Sequence, residues 1–357
     1  MEYQLAVFIG RFQPPHKSHI EVINQALELA DEVLIIIGSA NAARNIKNPF
    51  TFDERKQMIL DAFPEHKQRQ IKVEPIRDYF YNENNWVTDV QNKINQHSER
   101  DDSIVLVGHY KDSSSYYLNL FPQFEFIPAK NTEIMNSTDI RNKVLGLHNL
   151  RNGPWHPDFG NNNMIGEMDI TWKNSVTPNV YEYIMKFTNR YEYQSLLKEF
   201  QFIKDYKDKW NSSPFPPTFV TVDSVVIKSG HILLVERKFE PGKGLLALPG
   251  GFIKQNESID SAAIRELKEE TKIRLDKQIL KNNIQDIKVF DHPDRSLRGR
   301  TITHAYYINL GNGELPEIKA SDDAAKVFWI PLMDLSKMED KFYEDHFAMI
   351  QYFICRN

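Results

Sequence analysis

Apolar runs and helix-period stripes alternate through the first 145 residues of the chain. The runs "VLIIIG" and "IVLVGH" are apolar without polar alternation, the pattern of strands covered on both faces. Between them apolar positions recur every three or four residues, as at Ile20, Ile23, Leu27 and Ala30. The pattern predicts strands at 4–9, 33–38, 71–76, 104–108 and 124–127, and helices at about 17–30, 53–62, 85–97 and 138–145. Strands alternating with helices in this way build an α/β domain, a parallel sheet with helices on both faces, whose ligands gather at the carboxyl ends of the strands.

The pattern loosens after about residue 145 into "GLHNLRNGPWHPDFGNNNMIGEMD", rich in Asn, Gly and Pro, then resumes as helical text in "YEYIMKF" and "YEYQSLLKEFQFIKDYKDKW". "NSSPFPP" stops that helix, and strand-like text follows. "TFVTVDSVVI" and "ILLVERK" read as strands joined by a turn at "KSGH", and one helix lies among further strands such as "TITHAYYINL", an α+β order. The expected organisation is a first domain over 1–185, a helical connector and Pro/Ser linker over 186–215, and a second domain over 216–357. A chain of 357 residues is long enough for two cores.

Charge and cysteine content narrow the function classes. A net charge of -5 gives no general attraction to a polyanion, so no nucleic-acid partner is expected and any phosphate site must be local. Cys355 is the single cysteine and cannot form an internal disulfide, and "MEYQLAVFIGRF" lacks the features of a signal peptide. No run reaches membrane-span length, so a cytoplasmic protein without a membrane partner is expected, and a homo-oligomer remains open.

Two groups of residues carry chemistry. His16 and His19 stand at the first turn of the 17–30 helix, just after Gly10, where free backbone N–H groups and the helix dipole favour an anion. Imidazoles add donors for phosphate oxygens, and Gly10 gives room for a ligand to approach the backbone. Downstream, "NSTDIR" opens another helix with Ser137 and Thr138 at capping positions and Arg141 one turn in. Ordinary surface histidines and a plain helix cap are the alternative for each group taken alone.

Together, "GRFQPPHKSH" and "STDIR" resemble the H-x-G-H and I-S-S-T-x-x-R signatures of the nucleotidyltransferase superfamily, and "GRFQP", "NPFTFDERKQMI" and "WVTDV" are most similar to nicotinamide mononucleotide adenylyltransferases of the archaeal-like branch. The resemblance covers about residues 1–145 and implies a Rossmann-like fold. It implies that His16, His19 and Arg141 hold the phosphates of ATP carried with Mg²⁺, that Ser137 and Thr138 supply further donors, and that Gly10, Arg11 and Phe12 belong to the substrate site. It implies also that Trp86 stacks on the nicotinamide ring, for which a core position is the alternative. Ser18 departs from the motif, which has Gly there.

The second group is "LPGGFIKQNESIDSAAIRELKEETKI". At about 100° per residue Glu266, Glu269 and Glu270 share an arc beside the apolar side formed by Ile259, Ala262 and Ala263, and carboxylates so placed repel unless a hard divalent cation joins them. The stretch matches the Nudix box, G-x5-E-x7-R-E-U-x-E-E-x-G-U with U aliphatic, at Gly251, Glu257, Arg265, Glu266, Leu267, Glu269, Glu270 and Ile273. The resemblance implies that Glu266, Glu269, Glu270 and the Gly250 carbonyl hold Mg²⁺ or Mn²⁺, while Gly251, Glu257 and Arg265 are structural. Lys272 replaces the late Gly of the box, at a cost of about 1 kcal/mol if φ is positive there. Arg295, Arg298 and Arg300 of "DRSLRGR" are candidates for diphosphate or ribose contacts or a basic surface loop, and Asp322 and Asp323 for a helix cap or turn.

Taken whole, the chain resembles the bifunctional nicotinamide mononucleotide adenylyltransferase and ADP-ribose pyrophosphatase proteins, which implies ATP, nicotinamide mononucleotide and ADP-ribose as substrates. The rivals are another transferase, cytidylyl or phosphopantetheine adenylyl, fused to a Nudix hydrolase of a different nucleoside diphosphate, and a Nudix module that senses its ligand without hydrolysis. Trp86 and "GRFQP" speak against the first, and intact carboxylates against the second.

Overall fold

The computed structural model describes residues 1–109, 119–129, 135–146, 171–321 and 324–355, so most of the Asn-, Gly- and Pro-rich segment, with Asp322 and Asp323, lies outside the described residues. The chain divides into two compact units, Met1–Leu197 and Lys198–Asn357.

In the first unit β1 (Tyr3–Gly10), α1 (Lys17–Leu29), β2 (Ala30–Ile37), α2 (Phe52–Leu60), α3 (Glu65–Gln68), β3 (Ile71–Pro75), α4 (Glu83–Gln96), β4 (Ile104–Gly108), β5 (Glu125–Pro128) and α5 (Ser137–Gly146) follow in order, then α6 (Pro178–Phe187). The strands form a parallel sheet in the order β3-β2-β1-β4-β5. Because successive side chains alternate across a strand, the all-apolar runs feed two cores. Ala6, Phe8, Val33 and Ile35 join α1 on one face, while Leu5, Val7, Leu34 and Ile36 join Val90 and Ile94 of α4 on the other. The strand order reverses between β1 and β4, and that switch point opens a crevice at their carboxyl ends.

The division between the units falls inside α7 (Tyr191–Asp208). The second unit then runs through β6 (Phe219–Lys228), β7 (His231–Arg237), β8 (Leu246–Ala247), β9 (Gly250–Phe252), α8 (Ile259–Thr271), α9 (Lys277–Asn282), β10 (Ile284–Phe290), β11 (Thr301–Asn309), β12 (Ala324–Pro331) and α10 (His346–Ile354). Its sheet has the order β10-β11-β6-β7-β12, with β8 on β7 and β9 on β6. The sheet is mixed, since β11 and β6 are parallel while the other pairs are antiparallel. Ser229 (φ 46°) and Gly230 (φ 72°) make the turn between β6 and β7, as two consecutive positive φ values do in a type I′ hairpin. The α8 face bearing Ala262, Ala263 and Leu267 packs on Val222, Val226 and Leu233. Among the described residues no helix is long and apolar enough to cross a membrane.

Candidate active sites

At the carboxyl end of β1 the chain turns through Arg11–His16 into α1. His16 is the N-cap, and its amide donates to Nδ1 of His19 at 3.2 Å. An accepting Nδ1 puts the proton of a neutral His19 on Nε2. The two imidazoles stack at 3.6 Å and 26°, with the Phe12 ring 4.8 Å from His19. Phe12 itself is a core residue, 1% exposed and at φ 52°. A Cβ at Gly10 would meet that ring at 2.9 Å. The room left by Gly10 is therefore taken by Phe12, which corrects the expectation of a ligand there and of a substrate-facing Phe12 side chain. Ser18, in the place of the motif glycine, is buried.

The two distant signatures are joined. Ser137 Oγ donates to the Pro14 carbonyl at 3.0 Å, and Arg141 Nη1 to the Gln13 carbonyl at 2.6 Å, while Arg141 Nη2 donates to Thr138 Oγ1 at 3.0 Å. The cap of α5 is not Ser137 or Thr138 but Asn136, whose Oδ1 accepts from the Asp139 amide. Ser137 instead spends its hydroxyl on the β1 loop. Burial, with Arg11 beside it, pushes Arg141 down to about 10.

A further fastening was not read from the sequence. Arg55 of α2 is fully buried and donates to the carbonyls of Arg11 (2.6 Å), Gly38 (2.7 Å), Ser39 (3.1 Å) and Thr51 (3.1 Å), and burial pushes it down to about 10. Gln13 makes a reciprocal pair with the backbone of Phe50, at 2.8 and 3.1 Å. These contacts give "GRFQP" and "NPFTFDER" a physical reason to occur together. Trp86, near the start of α4, is half-buried and packs 5.9 Å from Phe121 against the core on that face.

In the second unit Asp223 of β6 faces Gly250 of β9, and a Cβ at Gly250 would collide with the Val222 carbonyl and the Asp223 side chain. At Gly251 a Cβ would meet the Glu266 carboxyl carbon at 2.8 Å. The two glycines thus let β9 lie between β6 and the acidic side of α8. Arg265 braces the other end: its Nε donates to Glu257 Oε2 at 2.8 Å, Nη2 to Glu257 Oε1 and to the Phe252 carbonyl, and Nη1 to Glu266 (2.6 Å) and Glu269 (3.0 Å). The Arg265 bonds hold Glu257 down at about 2.

Glu266 and Glu270, four residues apart, turn inward, whereas the Glu269 side chain is 52% exposed, so only two of the three predicted carboxylates border the core. Burial raises Glu266, and it raises Glu270 to about 8 against a hydrogen bond from the Gly250 amide (3.0 Å), with Glu266 and Asp223 adding to the rise. Asp223, missed by sequence reasoning, is also raised by burial and accepts from Thr303 Oγ1. Among the described residues no three His, Cys, Asp or Glu side chains are grouped as a finished metal cage. The donor set nevertheless suits a hard cation, since hard carboxylate oxygens crowd at one helix face with their charge disfavoured.

Of the arginines in "DRSLRGR", Arg295 is 4% exposed and bound to both Asp345 oxygens at 2.9 Å, with Met349 Sδ at 3.3 Å. Its guanidinium is consumed by the interior, which corrects its expected substrate contact. Arg298 lies 5.0 Å over the Phe252 ring, and Arg300 bonds the Asp291 carbonyl. Lys272, after α8, has φ 46° and ψ 29°, the left-handed cap that the family fills with Gly.

Known proteins match both units. Residues 7–143 match the Cytidylyltransferase-like family and residues 217–353 the NUDIX domain family. A nicotinamide/nicotinic acid mononucleotide adenylyltransferase of Acinetobacter baylyi is 43% identical over 141 residues, 39% of this chain and 74% of the relative. An ADP-ribose pyrophosphatase of Methanocaldococcus jannaschii is 38% identical over 119 residues, 33% of this chain and 65% of the relative. The crystal structure of a bifunctional NMN adenylyltransferase/ADP ribose pyrophosphatase from Francisella tularensis, complexed with AMP and Mn ion, is 39% identical, covers 99% of this chain and 98% of its own, and superposes with a TM-score of 0.87.

Proposed function

The chain belongs to the family of bifunctional NMN adenylyltransferase/ADP-ribose pyrophosphatase proteins, and we propose from its two sites how it carries out both reactions. The first unit transfers AMP from ATP to nicotinamide mononucleotide, giving NAD and pyrophosphate. The observation that supports this reading most is the bonding of Ser137 and Arg141 to the Gln13–Pro14 backbone, which joins the helix starts bearing His16, His19 and Arg141. The mononucleotide phosphate attacks the α-phosphorus in line, the bond to the β-phosphate oxygen breaks, and the charge on departing pyrophosphate is met by Arg11, Arg141, His16 and the Nε2–H of His19. Amides of the first turn of α5, at Ser137 and Thr138, add donors. No protein nucleophile is needed. Trp86 stacks on the nicotinamide ring with its exposed part.

The second unit hydrolyses ADP-ribose to AMP and ribose 5-phosphate. Glu266, Glu269, Glu270 and the Gly250 carbonyl are the ligands for Mg²⁺ or Mn²⁺, with Asp223 behind Gly250. When bound, the cation lowers the pKa of water and screens the diphosphate charge. Glu270, which burial keeps protonated up to about pH 8, would have to give up that proton to serve as a ligand, and Arg265 keeps Glu257 and the β9 carbonyl of Phe252 in place. Arg298 and Arg300 contact the substrate.

Incubating the protein with ATP, nicotinamide mononucleotide and Mg²⁺, and separately with ADP-ribose, followed by chromatography, should give NAD and then AMP with ribose 5-phosphate. Absence of NAD, or faster transfer from CTP, overturns the first assignment; a tenfold preference in kcat/KM for NAD, NADH or a diadenosine polyphosphate overturns the second. We place the hydrolase domain at 216–357, following a connector over 186–215. Because Glu199 accepts from the Gly242 amide (3.2 Å) and Tyr206 packs on Phe219, a fragment from Lys198 should melt higher than one from Pro214 by several degrees, with both hydrolysing ADP-ribose. An unfolded Pro214 fragment overturns that boundary.

A further inference from the structure

Beside Gly250 and Gly251 of β9, aromatic rings gather that neither the phosphate chemistry nor the metal ligands use. Phe219, at the start of β6, is their floor: the rings of Tyr206, Trp210 and Phe252 stand 5.6, 5.6 and 5.8 Å from it, at 61°, 66° and 75°. Trp210 is 43% exposed and Phe252 38%, so two large rings rise steeply from a shared base into solvent. Phe252 directly follows the glycines, and its carbonyl accepts from Arg265 Nη2 at 3.2 Å, the guanidinium that also braces Glu257 and Glu266. Arg298 lies 5.0 Å over the Phe252 ring, and its Nε is buried with no hydrogen-bond partner among the described residues.

We propose that Trp210 and Phe252 stack the nucleobase of the hydrolysed nucleoside diphosphate, beside the Arg298 guanidinium that lies over the Phe252 ring. The proposal rests on the hydrolase reading of the second unit. The row extends to Phe202, stacked 6.2 Å from Tyr206, but at its other end it carries a guanidinium and continues into the glycines that border the carboxylates, which ties it to the diphosphate site rather than to a protein partner. Ring surfaces hold a base by its π-face, which every nucleobase has, and an arginine over an aromatic ring adds a cation–π contact. The connector helix and the residues just after it thereby become part of the substrate site, which explains why large aromatic side chains at Tyr206 and Trp210 border an otherwise charged stretch, "KDYKDKW".

Trp210 is its own probe. In the full-length chain with Mg²⁺, the fluorescence of the wild type minus that of Trp210→Phe reports this residue apart from the other tryptophans. AMP should quench that difference signal, and ribose 5-phosphate at the same concentration should leave it unchanged. Phe252→Ala should weaken the AMP response by about tenfold. Trp210→Ala should raise KM for ADP-ribose about tenfold with kcat within about twofold, and leave adenylyl transfer at the wild-type rate. A difference signal indifferent to AMP, equal quenching by ribose 5-phosphate, or an unchanged KM in Trp210→Ala overturns the subsite. Quenching by AMP in a wild-type chain that cleaves no nucleoside diphosphate supports the subsite and overturns the hydrolase reading instead.

Discussion

The first unit offers phosphate the cations it already carries, whereas the second offers carboxylates. Arg11, Arg141 and two imidazoles stand around the β1 loop, and the guanidiniums of Arg55 and Arg141 are fixed by backbone carbonyls rather than by acids. Carbonyls orient a guanidinium without cancelling its charge, so the site stays positive toward an incoming triphosphate. Around the second site Arg265 is surrounded by Glu257, Glu266 and Glu269, and the inward Glu266 and Glu270 are pushed toward protonation by burial. Carboxylates crowded in that way suit a hard cation taken up from solution. The comparison shows how one chain serves two phosphate chemistries: transfer needs charge fixed in advance along a departing pyrophosphate, and hydrolysis needs a Lewis acid that also makes a nucleophile from water.

The sharpest test separates the two sites by mutation. His19→Ala should lower adenylyl transfer by at least about 100-fold and leave ADP-ribose hydrolysis within about twofold, while Glu270→Gln should abolish hydrolysis and spare transfer. A single substitution that removes both activities from a folded chain breaks the comparison.

Acidity should divide the units next. In the metal-free second unit Glu270 keeps a proton up to about pH 8 that the unfolded chain releases at its ordinary 4.5, so its contribution to stability falls as pH rises through that window. Mg²⁺ should reverse that loss, and the melting-temperature gain on adding Mg²⁺ should be larger at pH 8 than at pH 6. In the first unit burial would raise Glu54, but hydrogen bonds from Arg44 and Tyr183 outweigh it and bring Glu54 to about 2; that stabilisation is present above pH 4.5 and lost as pH falls toward 2. Calorimetry across pH 3–8 should therefore show the two units responding in opposite senses. A Mg²⁺ effect independent of pH would sink the role of Glu270.

Arg55→Lys should cost about 3 kcal/mol, because an ammonium on a flexible stem cannot serve four carbonyls in the geometry of one guanidinium, and unpaired buried carbonyls are expensive. Urea melts of the full chain would register this in the first unit alone. At the small end, Lys272→Gly should stabilise the second unit by about 0.5–1 kcal/mol, since the left-handed conformation at φ 46° carries no Cβ strain in glycine. A destabilised variant would mean that the Lys272 side chain contributes more than its strain costs.

Much of this was legible in the chain itself. The apolar strand runs and the three-to-four spacing of Ile20, Ile23 and Leu27 fixed a parallel α/β unit, because a strand buried on both faces cannot alternate. The Nudix spacing likewise put Arg265 in reach of Glu269 and Glu266 beside Glu270, since a helix sets i, i+4 neighbours locally. What tertiary structure alone decided were meetings across long stretches of sequence and the direction each side chain took. Gly10 reads as ligand room until Phe12 fills it, Arg295 reads as a surface cation until Asp345 is found fifty residues away, and Glu269 reads as inward until the helix is docked. Arg55 and Asp223 gave no local signal at all, because a charge declares its purpose through the partners and the burial that only the folded chain supplies.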